Sequence, residues 1–335
     1  MSYITAFFLS LLLSLILTPI VRRTMLKFGI LDMPSENRWH LQPIALLGGI
    51  AIFISFALVV MLRVKLSREV FVILLGGGMI FVLGLLDDLR GTHPRIKLSV
   101  QVLVAFGVAY FGVVSKILPY NWMNISLTVF WVVGLTNALN LLDNMDGLSS
   151  GVTIIAALGI LALSLYKEHP SVALLCLALA GSCLGFLRYN FNPAKIFMGD
   201  CGSLFLGYML AVLAIMGGWQ KSSPLAGALL SPVLILGVPI FDTTFVTALR
   251  FVHKKMPWEG GKDHSSHRLV QILRGSEKGA VLVLYGAGAL AGVLGLIAAR
   301  FSSLTAILIT TAFILGMTIF GIRLARVECC DDSPR

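Results

Sequence analysis

Charge is scarce in this chain. Only 13% of its 335 residues are Asp, Glu, Lys or Arg, and just 16 are acidic. Soluble domains carry about a quarter charged residues, so a soluble globular protein is excluded. Sustained alternation of apolar and polar residues is also missing, which argues against a transmembrane β-barrel. The five cysteines show no metal-ligand spacing: Cys176 and Cys183 fall in apolar runs, Cys201 in a polar loop and Cys329–Cys330 in the tail. No disulfide framework follows. There is no GxxxxGK[ST] stretch, so an ATP-hydrolysing P-loop is not expected. The first apolar run lacks the basic leader and small-residue cleavage site of a signal peptide and reads as a retained helix.

What is abundant is apolar sequence, at 57% of the residues and a mean hydropathy of +0.91. Runs of 17 residues or more recur, and each is long enough to span a bilayer. The expectation is an all-α, polytopic membrane protein forming one domain over 1–335. Eleven spans are predicted, at about 3–21, 44–62, 70–86, 97–114, 125–141, 151–166, 172–188, 204–219, 225–247, 279–298 and 305–322. Lys and Arg in the alternating loops then divide 19 to 7. The basic side holds 22–43, 87–97, 142–150, 188–203, 250–278 and the tail, and it should be cytoplasmic, with the N-terminus outside and the C-terminus inside. The net charge of +10 is read as this loop bias rather than as a nucleic-acid surface. Of the acidic residues, only Glu69 and Glu168 fall on the other side. Acids gathered on the basic side are not explained by orientation and need a local reason.

Four stretches supply one. In GLLDDLRGTHPRIKLSVQ, Asp87 and Asp88 end a span. Adjacent carboxylates at a membrane boundary repel each other and are costly to desolvate, unless a cation relieves them or the helix end is solvated. Arg90, Arg95 and Lys97 follow, as cytoplasmic-side cations or as phosphate ligands. In TNALNLLDNMDGLSSG, a helix would place Asn137, Asn140 and Asn144 on one face, with Asp143 one step round. Asparagines alone can glue helices together. With Asp143, Asp146 and the turn-forming Gly147 added, a hard-cation site such as Mg2+ is the better reading. In NPAKIFMGDCGSLFLG, Asp200 stands between Gly199 and Gly202 before a span, where a capped helix start would also attract anions. In PWEGGKDHSSHRLV, His264, His267 and Arg268 suit zinc or phosphate, and the absence of a third His or a Cys favours a cationic grip on phosphate. Earlier, RWHLQPIALLGG adds Arg38, His40 and Gly48–Gly49. Carboxylates, a hard metal and cations facing one pool suggest phosphoryl transfer, in which the protein mainly positions groups and neutralises charge.

The ordered set RxH…P…GG, DD, NxxNxxDxxDG, GDxGS and a His-bearing loop resembles the polyprenyl-phosphate N-acetylhexosamine-1-phosphate transferases. These include MraY, the WecA/TagO enzymes and the eukaryotic dolichyl-phosphate GlcNAc-1-phosphate transferase. The resemblance implies transfer of a sugar-1-phosphate from a UDP-sugar to undecaprenyl or another polyprenyl phosphate, with UMP released and Mg2+ required, Mn2+ being a substitute. Carried over by motif, Asp200 and Asn140 would hold the metal and Asp87 or Asp88 would be the base. Lys97, Asp143, Asp146, His264, His267 and Arg268 would bind substrate, Asp146 at the uracil and the last three at the diphosphate. HSSHR differs from the HHH run of the peptidoglycan-precursor enzymes, and PIFDTTFV, with Asp242, points to the WecA/TagO branch. The expected donor is therefore UDP-GlcNAc rather than UDP-MurNAc-pentapeptide, and the expected location is the plasma (inner) membrane, active on its cytoplasmic face. A secondary transporter is the rival class, but it calls for polar residues near mid-span. Small-residue pairs such as Gly288/Gly292 suit close helix packing and a homodimer.

Overall fold

The computed structural model describes residues 3–33, 42–219, 225–254, 256, 261 and 263–327. Arg38, His40, Cys329 and Cys330 lie outside the described residues.

Each apolar run is helical, because a backbone in lipid must satisfy its own polar groups. The helices are α1 (Tyr3–Phe28), α2 (Gly49–Arg63), α3 (Arg68–Arg90), α4 (Pro94–Tyr110), α5 (Asn121–Leu142), α6 (Leu148–Tyr166) and α7 (Pro170–Asn190). They continue with α8 (Asp200–Gly218), α9 (Leu225–Ile235), α10 (Gly237–Val252), α11 (Ser265–Ile272), α12 (Glu277–Arg300) and α13 (Ser303–Ala325). A two-residue antiparallel pair, β1 (Leu31–Asp32) with β2 (Ile44–Ala45), follows α1. Among the described residues, eight helices are long and apolar enough to cross a membrane, and nine if α9 and α10 count as one span.

That pair corrects one expectation. The stretch 225–247 is not one straight helix but two, bent by 74° around Leu236. Pro239 has no N–H to return to Ile235, so the ladder is interrupted where the bend occurs. The helix α2 is also short for a span, at 15 residues.

Burial sets the order of the helices from centre to rim. The apolar window of α8 is 94% buried, against 17% for α13 and 28% for α1. The central helix is thus the one that starts at Asp200, and α3 and α5 pack directly on it. The α3–α8 crossing is close because Gly84 has no side chain. A Cβ there would sit 2.4 Å from the Asp200 carbonyl oxygen. This crossing carries Asp87 and Asp88, one helical turn further along α3, to the first turn of α8.

Candidate active site

A cavity of about 1140 Å3 opens where α3, α5 and α8 meet. Asp87, Asp88, Asn140, Asp143, Asp146, Asp200 and His267 all line it. Residues far apart in sequence share this pool because α3 and α5 end where α8 begins.

Lys97 is not among the lining residues but joins two of them. Its Nζ donates to Asp87 Oδ2 and to Asp200 Oδ2, each at 2.6 Å. Asp87 also accepts from the Thr92 backbone N–H at 2.6 Å. Asp88 is differently employed. Its Oδ1 accepts from the Asp200 N–H at 2.8 Å and its Oδ2 from the Cys201 N–H at 3.0 Å. Asp88 therefore caps α8 from a neighbouring helix, satisfying donors that a helix start leaves unpaired. Gly199 makes room for this cap. It sits at φ 76° and ψ 172°, a conformation essentially confined to glycine, and a Cβ there would be 2.6 Å from Asp88 Oδ2.

The asparagines of α5 and its C-terminal loop divide into three tasks. Asn137 binds helices together, its amide donating to Gln101 Oε1 of α4 at 2.6 Å. Asn140 reaches the site, donating to Asp200 Oδ1 at 2.9 Å and to Ser203 Oγ at 3.0 Å. Asn144 holds the distant α11, its Oδ1 accepting from Ser266 Oγ at 2.6 Å.

Several functional neighbours escaped the sequence reading. Asp146 Oδ2 accepts from the Ala194 N–H at 2.8 Å and from Asn192 at 3.3 Å. Asn192 also donates to Glu277, which lines the cavity from the start of α12. Glu277 belongs to none of the four motif stretches and was not singled out from sequence. Asn190 Oδ1 accepts from the Gly147 N–H at 3.1 Å, and its amide donates to the Ile196 carbonyl at 3.1 Å, joining the two motif loops. Its place at the end of an apolar helix was the available signal.

The His-bearing loop is only partly brought in. His267 lines the cavity, whereas His264 and Arg268 do not. Arg268 is turned in part toward α13. Its Nη1 donates to the carbonyls of Val327 at 2.5 Å and Leu324 at 3.4 Å, so one guanidinium nitrogen meets the C-terminal end of α13 and the residue just beyond it.

Among the described residues, no three His, Cys, Asp or Glu side chains are gathered tightly enough to hold an ion by themselves. The donor set still suits Mg2+, which usually takes one or two carboxylates and completes its shell with water and substrate phosphate. Charge points the same way. Burial, and then the carboxylates of Asp200, Asp88 and Asp146, push the Asp143 carboxyl up to about 8. Bound positive charge would reverse that repulsion.

A stability prediction follows. An acid raised in the fold lets the unfolded chain lose its proton first, so the penalty to folding begins above the usual carboxylate pKa and is complete only past the raised value. Asp143→Asn should therefore raise the melting temperature of the metal-free protein near pH 8.5, with little gain near pH 4.5. Thermal unfolding in detergent at the two pH values checks this. An equal gain at both would refute it.

Residues 70–218 match glycosyl transferase family 4, a stretch that contains every cavity carboxylate named above except Glu277. Over 292 residues the chain is 38% identical to a probable undecaprenyl-phosphate N-acetylglucosaminyl 1-phosphate transferase of Bacillus subtilis (strain 168), a match spanning 84% of this chain and 81% of that protein. The chain belongs to glycosyl transferase family 4. Within the family it is 35% identical to a decaprenyl-phosphate N-acetylglucosaminephosphotransferase of Mycolicibacterium smegmatis, over 79% of this chain and 74% of the relative. A phospho-N-acetylmuramoyl-pentapeptide-transferase of Chlamydia trachomatis serovar L2 is 42% identical, but over only 35% of this chain and 36% of the relative. The long matches are thus to N-acetylglucosamine-phosphate transferases, the branch that the motif order and Asp242 had indicated.

Proposed function

We propose that this chain transfers GlcNAc-1-phosphate from UDP-GlcNAc to undecaprenyl phosphate, releasing UMP, at the cytoplasmic face of the plasma membrane. The observation that carries the reading is a carboxylate-lined cavity at one end of the spans, where Asp87 and Asp200 share the ammonium of Lys97. A transporter would place such groups at mid-span.

In this reading an oxygen of the lipid phosphate attacks the sugar-bearing phosphorus of the donor, and UMP leaves. Asp87 keeps the attacking phosphate deprotonated. Lys97 gives up a carboxylate contact to meet the incoming phosphates, and His267 meets the diphosphate from α11. Asp146, braced by the Ala194 N–H, accepts from the uracil. Asp200, with Asn140 and Asp143, would hold Mg2+, or Mn2+ in its place, which when bound neutralises the donor diphosphate. Positioning and charge neutralisation suffice, so direct displacement is preferred to a covalent enzyme intermediate.

UMP release from a panel of UDP-GlcNAc, UDP-GalNAc and UDP-MurNAc-pentapeptide, with Mg2+ and with or without undecaprenyl phosphate, tests the proposal. UDP-GlcNAc should be used best, and only with the lipid phosphate present. Release that ignores the lipid, or a preference for the pentapeptide donor, would overturn it.

The same reading sets the topology at eleven spans, N-terminus outside and C-terminus inside, supported by the 19-to-7 division of Lys and Arg. Lys278 lies beside the cavity end and Lys116 at the other, and both are exposed. With Cys329 and Cys330 replaced by serine, Lys278→Cys should react with an impermeant thiol reagent only in inverted vesicles, and Lys116→Cys only in intact cells. The opposite pattern would reverse the orientation.

A further inference from the structure

Asp242 is fully buried on α10, and the reaction as drawn does not use it. A lone carboxylate in an apolar helix is costly unless its oxygens are satisfied. Both are. Oδ2 meets His264 Nδ1 at 2.9 Å, and Oδ1 accepts from the Ser265 N–H at 3.0 Å and from the Ser265 hydroxyl. An ionised carboxylate has no proton to give, so Nδ1 carries the hydrogen and Nε2 is turned away from Asp242. Ser265 is the first residue of α11, so the other oxygen caps that helix.

A neighbouring ion pair holds the chain just before His264. Arg250 Nε donates to Asp263 Oδ2 at 2.7 Å and Arg250 Nη2 to Asp263 Oδ1 at 2.9 Å, a bidentate clamp immediately before His264. What Asp242 adds is aim. The His264 ring stands edge-on to the His267 ring at 5.9 Å, and His267 lines the cavity. One residue earlier in the helix turn, Ser266 ties the same segment to Asn144.

We infer that Asp242 is a positioning residue, which orients His264 through Nδ1 and caps α11 so that His267 faces the donor diphosphate. The inference rests on the proposed function for its ligand, and on geometry alone for the docking of α11. Asp242 acts through its neighbours and does not touch substrate.

Two substitutions separate the cap from the ring. Asp242→Ala removes both. Asp242→Asn keeps a carbonyl oxygen for Ser265 but presents an amide where His264 needs an acceptor. The first readout is docking. Asn144→Cys and Ser266→Cys, with Cys329 and Cys330 replaced by serine, should be joined by a short bifunctional thiol reagent when residue 242 is Asp or Asn, and much less when it is Ala. The second readout is kinetic. Asp242→Asn should raise KM for UDP-GlcNAc by about tenfold, the size expected for one lost charge-assisted hydrogen bond, and change kcat by less than about threefold. His264→Asn should do the same, and the double variant should be no worse than either single change, because both remove one contact. Undiminished linking with Ala at 242, an unchanged KM in Asp242→Asn, or additive effects in the double variant would each overturn the inference. The linking needs no turnover. An inactive unsubstituted protein would therefore count against the proposed function, while the docking result would still decide whether Asp242 positions α11.

Discussion

Asp200→Asn should reduce UMP release by about 10²- to 10³-fold or more, the range for removing one preorganised electrostatic group, while the protein still inserts and folds. The asymmetry comes from its contacts. Asp200 accepts from Lys97 at 2.6 Å and from Asn140 at 2.9 Å, and it opens the most buried helix of the bundle. An amide has the same shape, so packing at the first turn of α8 is kept. Lys97 retains Asp87 as a partner at 2.6 Å, so no buried ammonium is stranded. What disappears is the negative charge that, in the proposed mechanism, would hold the Mg2+ that neutralises the donor's diphosphate. Turnover at saturating Mg2+ should be measured beside the melting temperature and the gel-filtration profile in detergent. Near-normal turnover would remove Asp200 from the reaction, and a collapsed profile would make the loss uninformative about chemistry, in which case Asp200→Glu decides.

The second large effect distinguishes two adjacent acids. Asp87→Asn should lower turnover by about 10²- to 10⁴-fold, the usual cost of losing a general base, and leave UDP-GlcNAc binding within a few-fold of normal. Asp88→Asn should also lose turnover, but through the fold. Both oxygens of Asp88 accept backbone N–H groups of α8. An asparagine can offer only one acceptor there and sets an N–H against the other donor, leaving a buried group unpaired at about 1–3 kcal/mol. Asp88→Asn should therefore melt several degrees lower than the unsubstituted protein, and Asp87→Asn should not. Binding and turnover measured on the same purified variants, with melting curves, separate the two. Should Asp88→Asn keep its melting temperature and lose only turnover, the base would be Asp88. Should Asp87→Asn lose donor binding instead, Asp87 would belong to the nucleotide site.

Much of this molecule follows from its sequence without any coordinates. Membrane residence follows from the shortage of charge, because long apolar runs leave the chain no soluble way to bury itself. Helices follow in turn, because lipid offers the backbone no partners. The clustering of Asp87, Asp88, Asn140, Asp143, Asp146 and Asp200 was legible too, because every second span returns the chain to the same side.

Roles were less legible. Sequence adjacency makes Asp87 and Asp88 look alike, yet one meets Lys97 and the other caps α8. That difference depends on how α3 crosses α8 at Gly84, a contact between positions more than a hundred residues apart. Asn137, Asn140 and Asn144 share one helical face by spacing, but three different partners, Gln101, Asp200 and Ser266, claim them. Arg268 sits in a motif that suggests phosphate, and its Nη1 also meets carbonyls at the end of α13. The bend at Leu236 hides within an unbroken apolar run, since hydropathy measures the transfer of side chains and is blind to one missing backbone hydrogen bond. The composition and period of this sequence determined the solvent, the helices and the side on which its polar residues gather. Only the tertiary structure decided which partner each polar group meets, because hydrogen bonds are short and directional, and helix crossings bring donor and acceptor within reach.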